Sequence, residues 1–205
     1  MAKTLKIGSV GLGRLGYEHA KNIANYVTGA ELTAICDTDA ERVAQVAEEL
    51  NVPYTYTDVA EMVKNPDLDA IVVVSPSMFH AEHIKLALDA GKHCFCDKPL
   101  DTTVEKCKLA EKAVEAHPDK VFMLGFMRRY DRGYAAMKQA IESGEIGAPL
   151  MIHSCHRNMS QAPGFATDYA VTRVAIHEID ISRWLLDDEY ATAQVLAVRQ
   201  SKNTQ

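Results

Sequence analysis

Gly11-Leu12-Gly13-Arg14-Leu15-Gly16 constrains the fold of this chain more than any other run. It follows the apolar residues Leu5, Ile7 and Val10 and opens a helix-like stretch through Tyr26. The next apolar run, Leu32-Thr33-Ala34-Ile35-Cys36, ends at Asp37. Strand, glycine turn, helix, strand and acid in this order make a dinucleotide-binding fingerprint. Gly11 permits the tight turn, Gly13 lets backbone approach a pyrophosphate, and Gly16 lets the helix pack closely on its strand. The helix start at Arg14 and Leu15 offers N–H groups and a positive dipole end to phosphates. Asp37 is placed to accept hydrogen bonds from ribose hydroxyls and to repel a 2′-phosphate, which favours NAD over NADP. Arg14 is the opposing feature, since a guanidinium can hold that phosphate.

The alternation continues beyond the fingerprint. Strand-like runs lie near 5–10, 32–36, 70–75, 93–96 and 121–124, and helix-like runs near 15–26, 39–50, 58–64, 78–90 and 102–116. This predicts an α/β fold with a doubly wound parallel sheet, the Rossmann arrangement. Ligands of such sheets bind at the carboxyl ends of the strands. Three strand ends carry polar groups: Ser75, Pro76 and His80 after one, Asp97-Lys98-Pro99 after the next, and Arg128 and Arg129 after the last; of these Ser75, Pro76, His80, Asp97 and Lys98 are expected to bind the cofactor. Past residue 124 the regular alternation stops. A helix near 131–143, a strand-like run from Pro149 to Ser154, a polar loop, a helix near 174–187 and a strand-like run over 191–200 follow. The domains are read as 1–124 and 125–205.

Composition narrows the function classes. The chain has 205 residues and a net charge of −6; with no basic stripe, nucleic acid is not an expected partner. No apolar run reaches the length of a membrane span, and the N-terminus lacks a signal peptide's apolar core, so a cytoplasmic location is expected. Cys36, Cys94, Cys96, Cys107 and Cys155 show no disulfide-scaffold spacing. Cys94 with Cys96, and His153 with Cys155 and His156, are read as residues on strands rather than as zinc ligands. No metal is expected.

Two clusters carry chemistry. Lys98 sits where a strand meets the cofactor edge and can steady a developing oxyanion; Pro99 fixes the backbone beside it. Arg173, His177 and Asp180 fall at i, i+4 and i+7, one face of an α-helix. His177 is suited to general-base work near neutral pH.

The fingerprint, Ser75-Pro76 with His80, Asp97-Lys98-Pro99, the run Gly125–Asp131 and His177-Glu178-Ile179-Asp180 with Arg183-Trp184-Leu185-Leu186 occur in one order. Together they resemble the Gfo/Idh/MocA oxidoreductase family along the whole chain. His156-Arg157-Asn158 and the His-Glu-Ile-Asp run look most like its inositol 2-dehydrogenase branch. The resemblance implies a Rossmann domain followed by an α/β domain with an open mixed sheet, and assembly into dimers or tetramers. It also implies NAD as hydride acceptor and myo-inositol or a related polyol as substrate. Lys98 and His177 would be catalytic, and Arg128, His156, Asn158 and Asp180 would contact the polyol.

Two departures from the family pattern bear on activity. The inositol branch usually has an aspartate four residues before the histidine, where this chain has Arg173. A cation there disfavours imidazolium and is expected to weaken the base, or to take Asp180 as its partner. The chain is also short for the family and is read as a C-terminally truncated member, with 191–200 left as an exposed apolar strand. The readings are therefore an inositol-type dehydrogenase, a weak or inactive dinucleotide-binding remnant, or a dehydrogenase for another sugar or a sugar acid that meets Arg173.

Overall fold

Residues 3–159 and 169–196 are described by the computed structural model. Six strands form one parallel sheet: β1 (Leu5–Val10), β2 (Ala30–Cys36), β3 (Tyr54–Tyr56), β4 (Ala70–Val73), β5 (His93–Asp97) and β6 (Phe122–Gly125). Their order across the sheet is β3-β2-β1-β4-β5-β6. The chain winds outward one way from β1 and then the other, so a crevice opens between β1 and β4 at their carboxyl ends. β1 pairs with β2 from Leu5↔Ala30 to Val10↔Cys36 and with β4 from Ile7↔Ala70 to Val10↔Val73.

Apolar packing on both faces holds the sheet. On one face Val10, Ala34, Ile71, Val73, Cys94 and Cys96 pack with Ile84, Leu88 and Ala110. On the other, Leu12, Leu32 and Ile35 pack with Ala20, Val43 and Val46. Each fully buried aliphatic side chain contributes about 1.5–3 kcal/mol. Continuous apolar runs such as Ile71–Val73 are what a strand covered on both sides requires.

The helices of this part are α1 (Arg14–Asn25), α2 (Ala40–Leu50), α3 (Val59–Met62), α4 (His80–Asp89) and α5 (Val104–Ala116). Side chains cap three of them: Asp39 accepts from Glu41 and Arg42 N–H, Asp58 from Ala60 N–H and Thr103 from Lys106 N–H. The first turn of α4 is capped from outside, Ala81 N–H donating to Asp101. α1 differs, because its N-cap is Gly13 with no side-chain bond.

The chain divides into two compact units between Gly125 and Phe126. Gly125 pairs with Asp97 in the parallel ladder, so it closes the first unit instead of opening the second. In the second unit a 3₁₀ turn (Met127–Tyr130) leads to α6 (Arg132–Glu142), and a π-helical segment (Ala170–Ala175) runs into α7 (Ile176–Leu186).

The structure departs from the sequence reading at five places. β3 was not foreseen; it is a three-residue edge strand, too short to show a period. The helix read at 78–90 begins as a 3₁₀ turn, Ser77–Phe79. The helix read at 174–187 begins earlier, as the π segment. The strand read at Pro149–Ser154 is not formed, and 191–196 contains no strand. Alternation alone cannot make a strand; a ladder partner is needed, and no strand of the second unit stands among the described residues to supply one. Residues 197–200 of the last run lie outside the described residues. Leu150, Met151, Val195 and Leu196 are exposed. Among the described residues no helix is long and apolar enough to cross a membrane, and no group of three His, Cys, Asp or Glu is placed to hold a metal.

Candidate active site

The glycine turn meets its three demands differently. Gly11 has φ +88°, and a Cβ there would lie 2.7 Å from the carbonyl oxygen of Val74. A Cβ on Gly16 would lie 2.0 Å from the carbonyl oxygen of Gly11. A Cβ on Gly13 would meet no atom within 4 Å. Gly11 and Gly16 are therefore required by the protein itself, whereas Gly13 leaves open space beside the uncapped start of α1. A phosphate fits such a place, because the first-turn N–H groups there have no side-chain acceptor.

Asp37 follows β2 and faces this turn. Its Oδ2 accepts the Leu12 N–H at 2.6 Å, and its Oδ1 accepts the Asp39 N–H at 3.1 Å. The carboxylate is thus fixed against the turn while its remaining lone pairs face a cavity of about 560 Å³. Asp37, Asp58 and Glu82 all line that cavity, together with Ser75, Pro76 and His83. Three carboxylates around one cavity disfavour a second phosphate on the ribose. Arg14 and Leu15 are exposed at the start of α1, and Arg14 is not among the cavity's lining residues.

His83 is a lining residue that sequence reasoning missed. Its Nδ1 lies 2.9 Å from Ser75 Oγ, and its ring stacks on Phe79 with centroids 6.1 Å apart. Burial pushes its pKa below the ordinary histidine value. A usable signal existed, since His83 is one helical turn from His80, beside Ser75. His80 itself is buried, and both ring nitrogens face backbone carbonyls, so its side chain supports the loops instead of presenting a free polar atom to a ligand. Lys98 and Asp97 are half-buried at the end of β5, and the Lys98–Pro99 peptide bond is cis.

In the second unit, α7 carries the other cluster. His177 and Asp180 are 7% and 4% exposed. Both Asp180 oxygens are held by Arg129, with Arg129 Nε at 2.9 Å from Oδ2 and Nη2 donating to Oδ1. Glu178 Oε1 accepts from Arg128 Nη1 at 2.5 Å and lies 3.1 Å from His156 Nδ1. His156 Nε2 is 3.1 Å from Asn158 Oδ1. Burial raises the Glu178 carboxyl, but the bonds from Arg128 and His156 outweigh it and hold the group below the usual glutamate range. Arg128, His156 and Asn158 thus come together, linked by Glu178, which the sequence reading did not single out. Residues 178 and 180 point to opposite sides of a helix, so neighbouring arginines grip α7 from both flanks of His177.

Arg173 is placed otherwise than expected. It lies in the π segment, where the turn is wider than an α-turn, so the i, i+4 face does not carry through to His177. Arg173 is exposed, with its guanidinium 3.7 Å from the centre of the Tyr169 ring. The Asp180 partner is Arg129, not Arg173. Three thiols are kept protonated by burial: Cys36 and Cys94 are each pushed up to about 12, and Cys96 higher still. His153, Cys155 and His156 lie on irregular backbone rather than on a strand.

Comparison with known proteins places this geometry. Residues 5–126 match the oxidoreductase family with an NAD-binding Rossmann fold, and residues 134–205 match the GFO/IDH/MocA C-terminal domain. Inositol 2-dehydrogenase 3 of Saccharopolyspora erythraea is 42% identical over 97% of this chain, and inositol 2-dehydrogenase of Pseudomonas syringae pv. syringae is 39% identical over 96%. The chain spans 58% and 59% of those two relatives' lengths. Myo-inositol dehydrogenase from Lactobacillus casei, solved in complex with NAD(H) and myo-inositol, superposes with a TM-score of 0.92 at 37% identity. That likeness covers 98% of this chain and 60% of that one. With one family's two models matched in succession over the same chain, this protein belongs to the Gfo/Idh/MocA oxidoreductases.

Proposed function

We propose that this chain serves NAD-dependent oxidation of a ring hydroxyl of myo-inositol or a close cyclitol to the 2-keto product. The observation that carries the reading is the likeness, over almost the whole chain, to a dehydrogenase solved with NAD(H) and myo-inositol. The cradle fits the cofactor: open space at Gly13, an uncapped α1 and the fixed Asp37 suit a pyrophosphate and a free ribose diol. Gly11, Gly13, Arg14, Leu15 and Gly16 would hold the pyrophosphate, and Asp37 the ribose. NAD, when bound, supplies the hydride acceptor.

The chain's own residues do the rest. His177 takes the proton from the hydroxyl being oxidised, a role that suits imidazole near neutral pH. Lys98, the other residue proposed for catalysis, is a hydrogen-bond donor suited to steadying a developing oxyanion. Arg128, His156, Asn158 and Asp180 contact the other hydroxyls. Donors and acceptors mixed in this way suit a neutral polyol and reject a stereoisomer that leaves a buried group unmatched, at a cost of about 1–3 kcal/mol for each such group. Assembly into dimers or tetramers, as in the family, belongs to the same proposal.

The test is NADH formation across a panel of myo-inositol, scyllo-inositol, glucose and a uronic acid, each with NAD and with NADP. The proposal expects a cyclitol with NAD to be best. A preference for the uronic acid would replace the substrate class and assign Arg173 to its carboxylate. A preference for NADP would overturn the role given to Asp37.

A further inference from the structure

We infer that His80 is a positioning residue that ties the loop carrying Lys98 to the wall of the dinucleotide cavity. The inference rests on the NAD reading of that cavity and extends it to a residue with no free polar atom for a ligand. His80 opens α4 and is 2% exposed. Its Nδ1 is 2.7 Å from the Pro99 carbonyl oxygen, and its Nε2 is 2.8 Å from the Ser75 carbonyl oxygen. Ser75 and Pro76 line the cavity, while Pro99 directly follows Lys98. One buried ring therefore spans the ends of β4 and β5, which are neighbours in the sheet.

Both partners are acceptors. In either neutral tautomer the ring donates to one carbonyl and lies against the other, so the two loops share a single ring. A second tie lands on the same helical turn. Asp101 is 5% exposed; its Oδ2 accepts the Ala81 N–H at 3.1 Å and its Oδ1 accepts the Thr102 N–H at 2.6 Å. The loop after β5 is thus held at Pro99 and at Asp101, both times by the first turn of α4. Moving Lys98 relative to the cavity would strand a buried polar group at one of these points, which is costly. His80 acts on the chemistry only through Lys98 and the cavity wall.

The test uses the full chain with His80→Gln, His80→Phe and Asp101→Asn. Gln can reach one carbonyl, Phe neither, and Asn weakens the second tie. Amide hydrogen exchange is measured without cofactor, and NAD affinity by calorimetry. Exchange at residues 97–102 should rise about tenfold or more in His80→Phe and less in His80→Gln. Amides of β1 and β2 should stay protected, and NAD affinity should fall by a similar factor. Asp101→Asn should loosen the same amides, so it carries the test if His80→Phe does not fold. Unchanged exchange at 97–102 in folded variants would overturn the inference, as would a uniform rise across the sheet. If the wild-type chain does not bind NAD, the cofactor reading fails separately, and the exchange pattern still decides the tie.

Discussion

The N-terminal unit buries Ile35, Ile71, Val73 and Ile84 and keeps Asp37, Ser75 and Lys98 only half-buried at its strand ends; the described part of the C-terminal unit buries His177 and Asp180 beside Ile181 and Leu185. In the first unit the apolar core and the open part of the cradle at Gly13 are separate, so Gly13 can change without disturbing the core, as Gly11 and Gly16 cannot. In the second unit His177 and Asp180, both proposed for chemistry, are themselves buried, and ion pairs of Arg128 with Glu178 and of Arg129 with Asp180 hold the helix that carries them. Apolar burial has no charge to titrate or screen, whereas partly exposed ion pairs respond to both pH and ionic strength.

The sharpest way to break this contrast is a pair of glycine substitutions. Gly16→Ala drives a Cβ into the Gly11 carbonyl and should destabilise the first unit by about 3 kcal/mol or more in urea unfolding. Gly13→Ala should leave stability within about 0.5 kcal/mol, because nothing stands near its Cβ. The same change should weaken NAD binding about tenfold or more by filling the space reserved for phosphate. Equal stability losses in the two variants would mean that the first unit does not separate packing from binding.

In the second unit one surface residue should matter more than its exposure suggests. Arg129→Met leaves Asp180 buried without its cation. With Arg129 37% exposed the loss should be about 2–3 kcal/mol, below the figure for a fully buried pair. Trp184, the single tryptophan, lies in α7 and reports on this unit alone. Its fluorescence transition should shift in urea while the sheet's circular dichroism transition stays in place. Coincident shifts would show that the units unfold together.

Acid should sharpen the comparison further. The Glu178 carboxyl is held below its ordinary value, so the unfolded chain takes up that proton first. The stability it contributes is complete above the ordinary glutamate pKa, about 4.3, and is lost as pH falls through the lower folded value. Trp184 fluorescence should therefore change at a higher pH than the far-ultraviolet signal of the sheet. The reverse order would contradict the role given to the Arg128–Glu178–His156 group.

The smallest expected effect is at Arg173. The sequence alone makes Arg173→Asp a route to higher turnover through His177. In the structure Arg173 is exposed and stacked over Tyr169, where water screens its charge. Arg173→Asp should change kcat by no more than about threefold and leave NAD affinity unchanged. A tenfold gain would show that Arg173 governs the base.

What the sequence revealed follows from the range of the interactions. The glycine turn, Asp37 and the central strands were legible because strand, turn and helix periods are written within a few residues of one another. The pairing of Arg129 with Asp180 spans 51 positions and has no periodic signature. Glu178 was visible only as part of a motif, and its grip on Arg128 and His156 emerges once the chain brings residues 128, 156 and 178 together. The π segment escaped because an α-helical period was assumed through Arg173, and with it went the expected Arg173–Asp180 contact. The strand read at Pro149–Ser154 shows the converse error, a local pattern with no ladder partner among the described residues.

The central claim is tested most directly by following NADH formation by the 205-residue chain given NAD and myo-inositol, with NAD binding titrated on the same preparation. The account predicts NAD binding and inositol-dependent NADH formation, the latter lost in His177→Ala with NAD still bound. NAD binding without any NADH formation by the wild-type chain would contradict it and leave a dinucleotide-binding remnant as the reading.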